Sequence, residues 1–292
     1  MFFMDIKAIK SKLKIKYILF GLMISYIIMC QSCMTMRTST KKAAIFFKEL
    51  KTPYLDNTVN IDGHQLHYIQ TGLENKPTLV FVHGSPGSWD AYKKYLVDTL
   101  LLKKYRMIAI DRPGFGYSDF GNAENLKTQS QLIAAFLNKV DNQLPIVLVG
   151  HSMGGPVIVK MATEQNKKIQ HLVILAGAVD PSAEDPESWR YFIKMKPIRY
   201  LIPGALRPAN DELWWLKQDL IEMKPFLKNI TCDVTIIHGT KDRLVPYSNV
   251  AFMEKQFINA KSIDVVSIEN ADHFIPWTHF EIIRKALLDL KL

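Results

Sequence analysis

Residues 145–155 read Pro-Ile-Val-Leu-Val-Gly-His-Ser-Met-Gly-Gly, and the fold is predicted to form around them. The apolar run 146–149 is short and largely β-branched, as is typical of a strand covered on both faces. Residues 156–162 continue at a length that favours a helix. Between them lies the pattern Gly-x-Ser-x-Gly, centred on Ser152, whose glycines remove Cβ atoms that would collide in an abrupt turn. The stretch therefore predicts a buried strand that turns at a serine into a helix.

Strands and helices alternate on both sides of this turn. An apolar run predicts a further buried strand at 78–82, and similar short runs predict strands at 107–110, 172–175, 234–237 and 263–266. Segments of helical length, such as 88–103, lie between them. An Asp62-Gly63 turn within residues 58–71 predicts an antiparallel hairpin ahead of them, with His64 and His67 facing solvent. The pattern predicts an α/β fold with a mostly parallel mixed sheet and helices on both faces.

The alternation is interrupted between residues 181 and 228. This interval is rich in proline, shows helical spacing only in pieces and holds three of the five tryptophans, Trp189, Trp214 and Trp215. We interpret it as an inserted helical cap whose aromatic side chains pack against the core or line a substrate pocket. The chain is then divided into a signal or anchor segment (1–34), a spacer (35–55) and one domain (56–292) that contains the cap.

The first 34 residues have the composition of a secretion signal or a membrane anchor. A lysine-rich region at 7–16 precedes thirteen uncharged, largely apolar residues at 17–29. Residues 30–36 add no charge, so a single anchoring helix of about twenty residues is one interpretation. The segment also resembles a bacterial lipoprotein signal, which implies acylation of Cys33 after the small residue Ser32. Both interpretations predict a membrane-anchored envelope protein, and the positive-inside rule predicts a globular domain outside the cytoplasm.

The same segment accounts for most of the formal charge of +9. Residues 1–42 carry eight basic residues and one acidic residue, eight minus one or +7, which leaves nine minus seven or +2 for the remainder. Since no basic stripe alternates with aromatic residues, nucleic acid is not a predicted partner. Cys30 and Cys33 have the spacing of half a zinc site, but no second pair of ligands is evident, so no metal is predicted.

Polar residues follow several of the predicted strands. His83-Gly84-Ser85-Pro86-Gly87 follows one of them, an Asp-Arg-Pro-Gly-Phe-Gly segment interpreted as a tight turn begins at Asp111, and Asp242 and His273 follow two late strands. The carboxyl ends of parallel strands share one crevice, so Ser152, Asp242 and His273 can converge there. A serine hydroxyl needs an imidazole to remove its proton, and the imidazole needs a carboxylate to orient it.

Together these motifs resemble the α/β-hydrolase fold superfamily over residues 56–292, and the order Ser152, Asp242, His273 matches its nucleophile, acid and base. The resemblance implies an oxyanion hole formed by the backbone N–H groups of Met153 and Ser85, and it implies no cofactor. Asp180 is the alternative acid, because some members of the superfamily carry the acid after that strand. A serine at the elbow disfavours the dehalogenase and epoxide hydrolase chemistries, which use an aspartate nucleophile.

The sequence therefore predicts a serine hydrolase that cleaves a small-molecule acyl ester through an acyl-enzyme. Two alternatives stay open. Residues 83–87 are similar to the His-Gly-Gly-Pro-Gly motif of proline iminopeptidases, which implies an aminopeptidase or amidase. A non-catalytic envelope lipid-binding protein could also use this fold.

Overall fold

The computed structural model describes residues 6–164, 168–185 and 187–292, so residues 1–5 of the predicted anchor segment and residue 186 of the predicted cap lie outside the described residues. The strands form one eight-stranded sheet in the order β1-β2-β4-β3-β5-β6-β7-β8. They are β1 (Tyr54–Ile61), β2 (His64–Thr71), β3 (Thr78–Val82), β4 (Arg106–Ile110), β5 (Ile146–His151), β6 (Ile169–Leu175), β7 (Asp233–Gly239) and β8 (Ser262–Ile268). Strands β3 to β8 run parallel, whereas β2 pairs antiparallel with both β1 and β4. The predicted α/β class with a mostly parallel mixed sheet is confirmed.

Helices precede the sheet, connect its strands and follow its last strand. They are α1 (Ile6–Ser32), α2 (Thr40–Glu49), α3 (Lys93–Leu96), α4 (Thr99–Lys104), α5 (Leu126–Lys139), α6 (Gly154–Thr163), α7 (Trp189–Lys194), α8 (Leu206–Met223), α9 (Ser248–Gln256), α10 (Ile275–Thr278) and α11 (Phe280–Asp289). The single helix predicted over 88–103 is instead a 3₁₀ segment followed by α3 and α4. The break falls at Asp98, whose carboxylate accepts hydrogen bonds from the N–H groups of Leu100 and Leu101 and so caps a new helix.

The core lies on both faces of the sheet. All five residues of β3 are buried, and their side chains alternate between the two faces. Val80 and Val82 pack on the face covered by α5 and α6, while Leu79 and Phe81 pack on the face covered by α2 and α11. Burial on both faces explains the continuous apolar runs by which the strands were predicted.

The strand order reverses beside β3, because β4 lies on one side of it and β5 on the other. The loop that begins at His83 and the turn at Ser152 leave the carboxyl ends of these two neighbouring strands. A crevice forms where the connections of an open α/β sheet diverge in this way. The topology therefore brings residues 83–87 and Ser152 to one crevice.

Helix α2 and the side chain of His67 are both packed into the interior of the domain. In the interval predicted as a spacer, helix α2 buries Phe47, whose ring stacks on Tyr54 with centroids 4.3 Å apart. The expectation that His67 faces solvent is wrong, because its buried ring lies 2.8 Å from Asp111 Oδ2 and 2.9 Å from Asp56 Oδ1. The two carboxylates satisfy both ring nitrogens, which makes burial of this histidine favourable.

Within the described residues, one helix is long and apolar enough to cross a membrane, by length and composition alone. It is the part of α1 from Lys14 to Ser32, nineteen residues near the N-terminus. Its side chains are almost entirely uncovered by the rest of the chain. This segment is therefore not buried in the domain as a core helix would be.

Candidate active site

The turn at Ser152 has the strained geometry that its glycines predict. Ser152 has a φ of +52°, a conformation that non-glycine residues rarely adopt, and its N–H donates a hydrogen bond to Leu175 O at 2.9 Å. A Cβ at Gly150 would lie 2.4 Å from Gly154 O, and a Cβ at Gly154 would lie 2.1 Å from Val82 O. Only glycine fits at both positions. The serine therefore stands at the end of β5, where α6 begins.

The carboxylate of Asp242 lies beside the ring of His273. Asp242 Oδ2 is 2.7 Å from His273 Nδ1 and 3.4 Å from His238 Nε2, and Oδ1 accepts hydrogen bonds of 2.9 Å from the N–H groups of Leu244 and Val245. Burial raises the pKa of Asp242, but the hydrogen bonds from His238 and His273 outweigh burial and hold that pKa well below its usual range. Asp242 is therefore a carboxylate at neutral pH.

Asp180, the alternative acid in the sequence, has a different partner. Its Oδ1 accepts a hydrogen bond from the N–H of Ser182 at 2.8 Å, which begins the short 3₁₀ segment Pro181–Ala183. Among the described residues, Asp242 is the only carboxylate in an ion pair with His273. The geometry thus brings His273 together with Asp242 and not with Asp180.

His151, between Gly150 and Ser152, supports the loop that carries His273. Its Nε2 is 3.0 Å from His273 O, and the two ring centroids are 4.8 Å apart. Burial, together with the charge of a protonated His273, lowers the pKa of His151 to about 3. The neutral ring can donate Nε2–H to the carbonyl, so His151 holds the loop in place without competing for protons.

The loop after β3 carries the predicted oxyanion residue Ser85. Among the hydrogen bonds of the described residues, none uses the backbone N–H of Ser85 or of Met153, the residue directly before α6. The Ser85 hydroxyl is also buried without a partner in the described part of the chain. The two backbone N–H groups thus remain available on residues that line the same cavity as Ser152. Donors of this kind can stabilise an oxygen that becomes negative in a transition state.

A buried ion pair fixes this loop, and the sequence did not reveal it. Arg112 donates hydrogen bonds to His83 O at 2.8 Å and to Gly84 O at 3.0 Å. The same guanidinium contacts both oxygens of Glu212, at 2.6 and 2.9 Å, and both side chains are fully buried. Gln129 accepts from Arg112 at 2.7 Å and donates to Glu212 at 3.1 Å. Because Glu212 belongs to α8, the pair joins the predicted cap to the loop that carries Ser85.

Ser152 and His273 line one cavity of about 930 Å³. Ser85 and Met153 line it as well, and its apolar wall includes Leu213 and Leu216 of α8. In the described part of the chain, Trp189, Trp214 and Trp215 are not among its lining residues, so the alternative that cap aromatics line a pocket does not hold for these three. The tryptophan that lines the cavity is Trp277. A mainly apolar cavity beside a serine suits an acyl chain.

The cysteines of the N-terminal segment lie in different environments. Cys30 is buried, with Sγ 3.3 Å from Leu201 O, whereas Cys33 is exposed. No group of three or more His, Cys, Asp or Glu side chains within the described ranges has the arrangement of a metal site. Acylation of Cys33 stays a prediction.

Comparisons with known proteins agree with this architecture. Residues 77–201 match the family model described as alpha/beta hydrolase fold. The uncharacterized hydrolase YugF of Bacillus subtilis is 30% identical over 265 residues, which cover 78% of this chain and 95% of that protein. A 1-acylglycerol-3-phosphate O-acyltransferase of Arabidopsis thaliana is 31% identical over 162 residues, and epoxide hydrolase 3 of Xenopus tropicalis is 27% identical over 184 residues. The matches cover 48% and 59% of this chain but only 38% and 48% of those two proteins.

Solved structures share the fold at low identity. A bacterial membrane phospholipase A, described as a virulence factor, has a TM-score of 0.60 and 17% identity and covers 96% of this chain and 100% of its own. Cfl2 from Burkholderia cenocepacia has a TM-score of 0.67 and 19% identity and covers 81% of this chain and 95% of its own. The chain belongs to the α/β hydrolase fold family.

Proposed function

We propose that this protein is a serine hydrolase that cleaves acyl esters, with Ser152 as nucleophile, His273 as general base and Asp242 as the acid that orients it. The observation that carries the proposal is the 2.7 Å contact between the buried Asp242 carboxylate and His273 Nδ1, beside a cavity that Ser152 also lines. A histidine held through Nδ1–H presents an unprotonated Nε2. This nitrogen can remove the proton of a serine hydroxyl.

The reaction proceeds in two halves. Ser152 Oγ attacks the ester carbonyl carbon while His273 Nε2 takes the hydroxyl proton, and the same proton passes to the departing alcohol. The backbone N–H groups of Ser85 and Met153 stabilise the negative oxygen of the tetrahedral intermediate. Water, activated by His273, then attacks the acyl-enzyme and releases the acid. Asp242 remains a carboxylate throughout, in agreement with its lowered pKa.

One observation favours aminopeptidase activity as a second candidate. Glu184, Asp185 and Glu187 line the same cavity, and carboxylates could bind the ammonium group of a peptide substrate. Glu187 is paired with Arg190, which leaves two carboxylates for that role. Aryl esters of graded chain length, compared with amino-acid anilides including the proline anilide, separate the two activities. The esterase proposal expects a preference for the esters that increases with chain length.

Fluorophosphonate labelling tests whether Ser152 is a nucleophile. The folded protein should form a covalent adduct, and Ser152→Ala should abolish it because the probe reacts only with an activated serine. Ser182→Ala, at an exposed serine of the 3₁₀ segment after β6, is the matched control and should label as the original chain does. Folded protein that fails to label would favour the non-catalytic lipid-binding alternative.

We further propose that α1 stays attached and anchors the domain in a membrane of the cell envelope, on the side opposite the N-terminal lysines. Residues on both sides of Cys33 contact the cap, since Gly204 N–H donates to Cys30 O at 2.8 Å and Ala205 N–H donates to Met34 O at 2.9 Å. Cleavage before Cys33 would remove the first of these contacts. The intact mass of protein extracted from membranes should therefore include the chain upstream of Cys33. A mass that begins at a diacylated Cys33 would contradict the anchor and support a lipoprotein.

A further inference from the structure

We infer that residues 189–201 of the cap lie in the membrane surface, and that the acyl ester reaches Ser152 directly from the bilayer, so that the substrate is a membrane lipid. The inference rests on the proposed function for the chemistry and for the anchor. We call residues 189–201 the cap patch.

The cap patch is unusually apolar for a surface exposed to water. Neither α7 nor the 3₁₀ segment Ile198–Leu201 has a buried residue. Seven large apolar or aromatic side chains are exposed within the thirteen positions: Trp189, Tyr191, Phe192, Met195, Ile198, Tyr200 and Leu201. Soluble monomers rarely expose contiguous apolar surface of this kind, which normally marks a contact with a partner or a membrane.

The charges within the cap patch indicate which of these partners it fits. It contains four basic residues and no acidic residue. Arg190 pairs with Glu187 and Arg199 pairs with Asp211, so among the described residues Lys194 and Lys196 are the two cations of the patch with no carboxylate partner. Aromatic side chains mixed with lysine and arginine are typical of segments that lie among lipid headgroups, where the rings enter the acyl boundary and the cations meet anionic headgroups. A lipid surface therefore matches the patch in both polarity and charge.

Contacts with α1 place the cap patch at the depth of the membrane surface. The span from Lys14 to Ser32 has nineteen residues, about 28 Å at 1.5 Å per residue, close to the thickness of a hydrocarbon core. Leu201 O lies 3.3 Å from both Tyr26 OH and Cys30 Sγ, which are six and two residues before the end of the helix, or about 9 and 3 Å along it. Since Leu201 lies beside the last turns of α1, it lies at the membrane surface when α1 spans the bilayer.

The attachment between α1 and the domain fixes the orientation of the patch. A Cβ at Gly204 would lie 2.2 Å from Cys33 O, so the backbones approach as closely as glycine allows. After the helix, Arg37 Nε donates to Gly116 O at 2.5 Å, and its guanidinium lies over the rings of Tyr117 and Phe120 at 4.9 and 4.4 Å. The domain is therefore held by packed contacts at the end of the anchor and is not suspended on a free linker.

Residues of these membrane-proximal elements contribute to the wall of the cavity. Met36, four residues beyond the end of α1, and Arg190, within the cap patch, both line the cavity that contains Ser152. Leu213, Leu216 and Trp277 add apolar wall. An acyl chain can thus pass from the bilayer into the cavity without exposing each CH₂ group to water, which would be the largest barrier for a lipid substrate.

The first test compares soluble and membrane substrates for the full chain in phosphatidylcholine–phosphatidylglycerol vesicles. Phe192→Ser/Met195→Ser should hydrolyse a soluble butyrate aryl ester within about twofold of the original chain, because both side chains are exposed and neither lines the cavity. Release of long-chain fatty acid from the vesicle lipids should fall at least tenfold. Leu73→Ser/Ile258→Ser is the matched control, because both side chains are exposed. Leu73 follows the end of β2 and Ile258 precedes the start of β8, so both lie at the end of the sheet opposite Ser152. It should leave both rates unchanged.

The second test measures the position of Trp189 in the same vesicles. Brominated lipids should quench part of the tryptophan fluorescence, and that part should disappear in Trp189→Phe. The inference would be overturned if Trp189 were not quenched, or if two chains could be cross-linked through the patch. It would also be overturned if Phe192→Ser/Met195→Ser lowered both activities equally or lowered neither. If the chain fails to label with fluorophosphonate, the proposed chemistry fails, yet quenching of Trp189 still decides whether the patch contacts lipid.

Discussion

Asp242→Asn should lower kcat for ester hydrolysis about 10⁴-fold while the protein stays folded. In the original chain Oδ1 of Asp242 accepts two backbone hydrogen bonds, from Leu244 and Val245, and Oδ2 faces His273 Nδ1. An asparagine keeps those backbone bonds through its carbonyl oxygen, so its NH₂ group replaces Oδ2. This NH₂ can only donate, which forces Nδ1 to be unprotonated and puts the ring proton on Nε2. His273 then cannot accept the proton of Ser152.

The measurement is steady-state kcat with a soluble aryl ester, together with the rate of fluorophosphonate labelling, which should fall in parallel. Asp180→Asn is the control, because Asp180 is the other aspartate that the sequence offered as the acid. It should keep kcat within about threefold, since its carboxylate only caps Ser182 N–H. A large loss in Asp180→Asn and retained activity in Asp242→Asn would transfer the role of the acid to Asp180.

Asp242→Asn should also change how the stability of the protein depends on pH in acid. The pKa of Asp242 is lowered in the folded state, so this carboxylate contributes stability above its unfolded pKa of about 3.9, and that contribution is lost as the pH falls towards the folded value. Asp242→Asn removes this contribution. Thermal unfolding of the variant should therefore depend less on pH below about 4 than that of the original chain.

The sequence predicted the sheet and the candidate residues where local geometry determines them. At Gly150 and Gly154 the clash of any Cβ with neighbouring backbone explains why the pattern around Ser152 requires glycine. Asp242 was predictable because it follows β7, which is buried from Val234 onwards, and His273 because it follows the last predicted strand, although β8 is only partly buried and Asp264 interrupts its apolar residues. At these positions the local sequence alone determines the backbone conformation or the end of a strand, so it can be predicted from a few adjacent residues.

The features that were missed depend on contacts between distant parts of the chain. Arg112 and Glu212 are 100 positions apart, and no local sequence pattern predicts their pairing. His67 follows a hairpin turn and was expected to face solvent, but Asp56 and Asp111 satisfy its ring in the interior. Trp189 was expected to pack against the core or line a pocket and is 46% exposed, because composition does not specify which surface an aromatic side chain contacts.

Glu212→Gln should lower the free energy of unfolding by about 3 kcal/mol, although it changes the shape of the side chain very little. Arg112 stays charged in any folded protein, and it is fully buried, so removal of the opposing charge leaves a desolvated cation. Two donors, Arg112 Nη1 and Gln129 Nε2, converge on Glu212 Oε2, and Arg112 Nη2 donates to Oε1. A glutamine must turn its NH₂ towards one of these positions, so a donor opposes a donor in either orientation.

Chemical denaturation of the full chain in detergent measures this loss, with Asp289→Asn as the control. Asp289 pairs with Lys285 on the exposed face of α11, where an ion pair contributes at most about 1 kcal/mol. The paired replacement Arg112→Met/Glu212→Leu should recover most of the stability, because it removes both buried charges together. It should not recover activity, since Arg112 also holds the carbonyls of His83 and Gly84 beside Ser85. A loss below about 1 kcal/mol in Glu212→Gln would show that the ion pair does not hold the cap, and full activity in the paired variant would show that Arg112 does not position the loop that carries Ser85.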